Sequence, residues 1–359
     1  MAVEVIIPGM LTTVQDLGRY GYQQSGMTCS GVMDQQAYRK ANYLVGNPET
    51  AAVLEFTVYG GSYRFTQDTV FALTGADMGA EIGEQPVETN RAVTAKQGDV
   101  LNLGMASRGC RTYLAVSGGF LVPLVMGSYA TNIRCKMGGF HGRKLKRGDV
   151  LEIGQNSVSF SKIKNRKVSI PEYSGEVEVR VIPGPQEEMF TQKGLHTFYS
   201  GYYRVQEDSD RMGYRLDGSM IESKNGTDIV SDGITFGSIQ VPASGKPIIL
   251  MADHQTTGGY AKIGTVCRMD LSKVAQCKPG DRIHFKKIDV DKAQKLYKEM
   301  ISKDLKLFHS EDINSLSQLI IKVLTSSNHH YQTESKEIYK RMYTFKEMKN
   351  KYIDFLESI

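Results

Sequence analysis

An internal echo at nearly constant offset constrains this chain more than any single segment does. IIPG at 6–9 returns as VIPG at 181–184, 175 residues later. TVYGGS at 57–62 resembles ITFGS at 234–238, with Val58 and Thr235 offset by 177. TGAD at 74–77 resembles LMAD at 250–253, so Asp77 and Asp253 stand 176 apart. GDVLNL and GDRIHF close the two series at an offset of 182. Four matches in one order predict two related halves. Their texture gives the class. Runs such as VEVIIPG, AVLEFTVYGG, TVFALTGAD, RTYLAVSGG, VEVRVIPG and PIILMAD are short, rich in β-branched residues and bounded by Gly, Pro or Asp. Such runs read as strands. The expectation is a mainly β protein of two β-barrel halves, over 1–165 and 175–290. One clear helix interrupts it, VMDQQAYRKANYLVG, with Asp34 as its cap and Ala37, Ala41, Leu44 and Val45 at helical spacing.

Beyond the second half the composition changes. The last 79 residues, 281–359, hold neither Gly nor Pro. Ile313, Leu316, Leu319, Ile320 and Val323 fall on one helical face, and Ile338, Met342, Phe345, Met348 and Ile353 repeat the pattern. A helical extension over 291–359 is expected. Within the first half, SYATNIRCKMGGFHGRKLKRGD (128–149) has the character of an insertion, with seven cationic residues before Gly148 if His141 is counted. It is either a solvated loop or a loop that folds over an anionic ligand.

Several classes are disfavoured. The net charge of +5 is mild, and no basic block is interleaved with aromatics, so nucleic acid is not an expected partner. Five cysteines, never spaced C-x-x-C, fit a reducing compartment and argue against a disulfide frame or a zinc site. MAVEVIIPGM lacks the basic start and apolar core of a signal peptide, and no apolar run nears the ~20 residues of a membrane span. A cytoplasmic protein with no membrane partner is expected. The motifs G-x-x-x-x-G-K-[ST], H-E-x-x-H and a strand-turn-helix G-x-S-x-G are missing. A self-contained ATPase, metalloprotease or serine hydrolase is therefore not the reading, and no metal is expected.

Three polar stretches could carry chemistry. In TTVQDLGRYGYQQSGM, Arg19 either pairs with Asp16 to organise a turn or aims its guanidinium at a carboxylate or phosphate. EDSDRMGYRL packs Asp208, Ser209, Asp210 and Arg211 into four positions, which is loop-like. MADHQTTGGY joins Asp253 and His254 to Gln255, Thr256, Thr257, Gly258, Gly259 and Tyr260. Histidine suits proton transfer near neutral pH, and the glycines would let backbone N–H groups approach a ligand. If the strand runs on through the pair, alternation sends Asp253 and His254 to opposite faces, and only one of them faces a given pocket.

Taken together, PGMLTTVQDLGRYGYQQSGM, LEFTVYGG, LTGAD, YLAVSGGF, SDRMGYRL, ILMADHQTTGGYAKIGTV and KPGDRIHF resemble the biotin-dependent carboxyltransferase / allophanate hydrolase subunit 2 family, from about residue 3 to about residue 300. The stretch GMTCSGVMD departs from it, with Cys29 where a Pro- or small-residue-rich turn is expected. The resemblance implies two cyclophilin-like β-barrel halves. It further implies an ATP-dependent 5-oxoprolinase, opening 5-oxo-L-proline to L-glutamate together with two partner proteins, a KipI-like B component and an A component. ATP would then bind at a shared or unorthodox site, and no biotin would be attached to this chain. Two alternatives stay open: a KipA-type regulator that binds a histidine-kinase inhibitor, and the carboxyltransferase component of a biotin-dependent urea or amide carboxylase. On the enzyme reading, His254, Asp253 and Asp210 are the catalytic candidates. Arg19, Arg211, Ser209, Gln255, Thr256, Thr257, Gly258, Gly259, Tyr260 and Asp77 would bind substrate.

Overall fold

The computed structural model of the protein describes residues 1–155, 158–169 and 171–308, with side chains to residue 299. In the first half, antiparallel strands make two sheets. One runs in the order Val150–Glu152, Ala2–Pro8, Tyr59–Phe65, Val100–Met105, Glu81–Ile82, Gln85–Pro86. The other runs Leu11–Gln15, Val53–Thr57, Arg108–Val116, Thr69–Asp77, Ala92–Ala95. Strand alternation decides what each face buries. Phe71, Leu73, Leu114 and Val116 point inward to a core shared by both sheets, with Val5, Phe56, Tyr63 and Leu101. Their neighbours Val70, Ala72, Tyr113 and Ala115 point the other way, onto the helix Gln35–Val45. That helix starts where the sequence places it: Asp34 accepts from Gln36 N and Ala37 N, satisfying two orphan donors.

The second half is a closed seven-stranded barrel in the order Glu176–Pro183, Lys262–Val266, Ser238–Gln240, Ile248–Leu250, Gly213–Asp217, Tyr202–Val205, Arg282–Lys287. Closure is a parallel pairing of the first and last of these, from Glu176 opposite Arg282 to Val181 opposite Lys287. A helix, Gln192–Ser200, seals one end by stacking Phe198 on Phe285.

The echo is visible in backbone detail. Gly9 and Gly184 each follow a strand-ending proline, and a Cβ on either would run into the backbone oxygen of the neighbouring antiparallel strand, at Tyr59 and Lys262. The GDVLNL and GDRIHF strands each open from a Lys-x-Gly-Asp turn. In KQGD (96–99) and KPGD (278–281) the lysine N–H donates to the aspartate Oδ2, at 2.8 and 2.9 Å. A third copy, KRGD (146–149), does the same at 2.8 Å. Gly98, Gly148 and Gly280 lie at φ 92, 85 and 94°, a region open to glycine at little cost. Turns are what the two halves share; closure is where they differ. The second half closes on a parallel pair, and the first layers two sheets over one core.

Of the expected tail, a helix Val290–Phe308 is present. The two amphipathic segments at 313–323 and 338–353 lie outside the described residues. Among the described residues no helix is long and apolar enough to cross a membrane.

Candidate functional site

The polar stretches converge where the halves meet. The turn before Gly213 is built locally: Asp210 Oδ1 accepts from Met212 N at 2.8 Å, and Ser209 Oγ accepts from Arg215 N at 3.1 Å. Asp253 N then donates to Arg211 O at 2.8 Å, laying this turn along MADH. Arg211 is 5% exposed and crosses into the first half. Its Nε and Nη2 donate to Asp253 at 2.9 and 3.1 Å, Nη2 also donates to Gly31 O, and Nη1 binds Glu55.

Glu55, 1% exposed, accepts on its other oxygen from Met33 N and the Tyr113 hydroxyl, both at 2.8 Å. Arg111 lies 4.0 Å from Glu55 and binds the Tyr214 hydroxyl and Ala275 O from the second half. Two guanidiniums thus face two carboxylates in a buried seam, which is how buried charge becomes tolerable. Burial lowers the Arg211 pKa, but Asp253 and Glu55 more than offset it and hold the group above the usual arginine range. Gln276 extends the seam. It accepts from Cys110 N and Arg111 N and donates to Asp34 and Arg111 O.

Arg211 and Asp253 therefore change role. Every guanidinium nitrogen of Arg211 has a partner in the protein, and both Asp253 oxygens accept from Arg211. They tie the halves together rather than reach for substrate.

His254 is different. The strand ends at Leu250, and His254 N donates to Met251 O at 3.0 Å in a turn. Strand alternation does not apply here; the turn is what separates the two side chains. His254 is 5% exposed, with Nδ1 2.6 Å from Gln255 O. A carbonyl can only accept, so the proton sits on Nδ1 and the lone pair on Nε2. No side chain or backbone group is bonded to Nε2 among the described residues, and Nε2 is not sealed from solvent as the buried unsatisfied atoms are. Burial pulls the pKa below the ordinary histidine value, against the Gln255 carbonyl and the Asp253 charge. The ring is a neutral base with its reactive nitrogen available.

Arg19 lies buried near this turn. It does not pair with Asp16, whose oxygens are taken by Gly18 N, Ser128 Oγ and Tyr129 N at 2.8, 2.6 and 2.6 Å. Arg19 is 1% exposed; Nη2 donates to Ala130 O, while Nε and Nη1 are sealed without any acceptor. Burial lowers its pKa and Asp16 and Asp253 raise it, so Arg19 lies within electrostatic reach of the MADH turn. The insertion folds over it. Asn132 donates to Thr28 and Ser30 at 2.6 and 3.0 Å, Arg134 stands 3.8 Å from Asp210, and a Cβ at Gly138 would come within 2.6 Å of Arg19 Nη2. The insertion thus packs on Arg19 with Gly138 and Asn132 buried, while Arg134, Lys136, His141, Lys144, Lys146 and Arg147 face solvent.

Other expected residues fall elsewhere. Thr257–Tyr260 is a strand paired with Asp228–Gly233 in a ribbon separate from the barrel sheet. Gly258 and Gly259 are thus not an open cradle of N–H groups. At Gly258 a Cβ would crowd the Ile234 methyl and the Gln240 amide, which would have to shift. Thr256 O accepts from Ile234 N at 3.0 Å, at the root of the ribbon. Asp77 is exposed and turns back on Gly79 N and Ser107, with no partner in the Arg211 seam. Ser209 serves its own turn. A cavity of about 420 Å³, lined by Lys40, Glu172, Tyr173, Arg180 and Asp270 among others, opens between the halves but holds none of the MADH or Arg19 residues. Sequence reasoning missed Glu55, Arg111, Gln276 and Asn132. Glu55 left a signal, as the lone charge inside the apolar run AVLEFTV.

Residues 25–287 match the profile of the carboxyltransferase domain, subdomain A and B. The chain is 38% identical over 293 residues to the C component of the 5-oxoprolinase of Escherichia coli strain K12, covering 82% of this chain and 93% of that protein. It is 33% identical over 313 residues to urea amidolyase of Saccharomyces cerevisiae, covering 82% of this chain but 17% of that protein. The crystal structure of the K. lactis urea amidolyase superposes with a TM-score of 0.79 at 30% identity, over 85% of this chain and 20% of that one.

Proposed function

The chain belongs to the carboxyltransferase-domain family, and from that premise we propose that it is the C component of an ATP-dependent 5-oxoprolinase, working with the B and A components. The observation that carries this choice within the family is coverage. The match spans 93% of the E. coli protein, whereas it spans 17% of the yeast urea amidolyase. The likeness to the E. coli protein extends along nearly its whole length and at higher identity, 38% against 33%.

The cleft suits the opening of a lactam. His254 Nε2 takes a proton from the attacking water and returns it to the leaving nitrogen. The Nδ1–H bond to Gln255 O holds the ring in the tautomer this needs. Arg211 and Asp253 are positioning residues that fix the turn bearing His254, and Asp210 stands at the mouth beside Arg134. ATP, as co-substrate, finds no fitting site among the described residues. The helix Gln35–Val45 is capped by an aspartate, and the 420 Å³ cavity sets Lys40, Arg180 and Lys273 against Asp34, Glu172, Glu176, Glu178 and Asp270, with no surplus of positive charge for a triphosphate. Nucleotide is taken to bind at a site shared with the partners, and no step is routed through it.

The test combines this chain with the A and B components and follows ATP-dependent glutamate release from 5-oxo-L-proline. Release that is unchanged when this chain is omitted refutes the proposal. Carboxyl transfer to urea is the second reading, favoured by the superposition on the K. lactis enzyme. It predicts that a biotinylated protein accompanies the native complex.

A further inference from the structure

Arg19 poses a problem that the catalytic reading leaves unsolved. A guanidinium needs acceptors for five N–H groups, and leaving them unmet in a dry site is costly. At Arg19 only Nη2 is served, by Ala130 O, while Nε and Nη1 are sealed and unpartnered. No other side chain among the described residues has two such atoms. The obvious internal partner, Asp16, is spent on Gly18, Ser128 and Tyr129. The other nearby carboxylate, Asp253, is spent on Arg211. A buried cation whose two neighbouring anions are both committed elsewhere is short of one anion.

The base of the cover is pinned, Ser128 and Tyr129 to Asp16 and Thr131 to Val14 O, but its outer turn, 132–138, is held less firmly. Its outer tie, Arg134 to Asp210, spans 3.8 Å between side chains 69% and 53% exposed, and exposed pairs of this kind are weak. The inner tie is the Asn132 side chain on Thr28 and Ser30, neutral hydrogen bonds that water can replace. Gly138 and Gly139, at φ 68 and 52°, let the loop backbone lie directly on the guanidinium.

We propose that Arg19 is an anion subsite, taking a small planar carboxylate-type oxyanion on its vacant donors while the 132–138 turn closes over it. Resting on the 5-oxoprolinase reading, the occupant is the α-carboxylate of the substrate, which the lactam ring carries and urea lacks. The subsite then anchors the acid end of the molecule and leaves the amide end to His254. The same donors would also accept bicarbonate or the carboxylate of a carboxyl donor, and the experiment separates these sources.

Calorimetric titration of the full chain with 5-oxo-L-proline, 2-pyrrolidinone (the same lactam without the acid) and bicarbonate is the test, on wild type, Arg19→Lys and Arg19→Met. Wild type is expected to bind 5-oxoproline at least tenfold more tightly than 2-pyrrolidinone. Arg19→Met should erase that difference, and Arg19→Lys should keep part of it, since it retains charge but not the planar donors. Arg19-dependent binding of bicarbonate alone supports the subsite and refutes the 5-oxoprolinase reading, so the two can fail separately. Equal binding of both lactams by wild type, with no Arg19-dependent bicarbonate binding, overturns the subsite even if the assembled enzyme turns over. Should Arg19→Met fail to fold, the wild-type ligand series and Arg19→Lys still decide.

Discussion

Replacing Arg211 by Met tests the seam between the halves. The guanidinium joins Glu55 and Asp253, whose side chains are 1% and 11% exposed, so its loss strands two buried carboxylates. Glu55 keeps Met33 N and the Tyr113 hydroxyl, and Arg111 stays 4.0 Å away, so part of its charge remains compensated. Asp253 keeps nothing comparable. Removing one partner of a buried pair costs about 3–5 kcal/mol, and that range is the expected loss in urea unfolding followed by circular dichroism at pH 7. Salt should restore little of it, because buried charges are poorly screened. Adding Glu55→Gln and Asp253→Asn to Arg211→Met removes the stranded charge and should recover at least half of the loss. If Arg211→Met costs under about 1 kcal/mol, or the triple variant recovers nothing, the seam is not held by compensated charge.

Three further outcomes follow. Gln276→Ala leaves Cys110 N, Arg111 N and one Asp34 oxygen without this partner, so a destabilisation of about 1–3 kcal/mol is expected in the same unfolding assay. Gly280→Ala, at φ 94°, should cost about 1 kcal/mol, and the same change at Gly233, where φ is not positive and nothing crowds the position, should cost less. His254, with its pKa depressed by burial, stabilises the fold fully above the ordinary value of 6.5 and loses that contribution as pH falls below it toward the folded value. The acid limb of kcat/KM should accordingly lie below 6.5 and disappear in a His254 variant; a limb above 6.5 would contradict the buried neutral ring.

What could be read from the residues was what local physics dictates. The Lys-x-Gly-Asp turns, the proline-glycine strand ends and the Asp34 cap each need specific residue types at fixed spacing, so the repeat and the strand texture were legible. A barrel was legible, but not which strands close it. Whether Glu176–Pro183 pairs in parallel with Arg282–Lys287 depends on contacts about a hundred residues apart, and no spacing reports it. The convergence of DLGR, SDRMG and MADH was legible as shared polarity, but the division of labour within it was hidden. Arg19 and Arg211 look alike as residues; one is fully partnered and the other is not, and only three-dimensional accounting of donors distinguishes them. Strand alternation at Asp253-His254 failed for a simple reason: the strand had already ended at Leu250.

The chemistry proposed for this cleft rests on His254 as the proton carrier of a lactam-opening complex. Its most direct test is the rate of ATP-dependent glutamate release from 5-oxo-L-proline by the complex reconstituted with His254→Gln in place of wild type, with assembly checked by gel filtration. General acid–base catalysis is worth about 10²–10⁴-fold, so a loss of at least a hundredfold with an intact complex is predicted. A variant complex that assembles and releases glutamate at the wild-type rate would contradict that role.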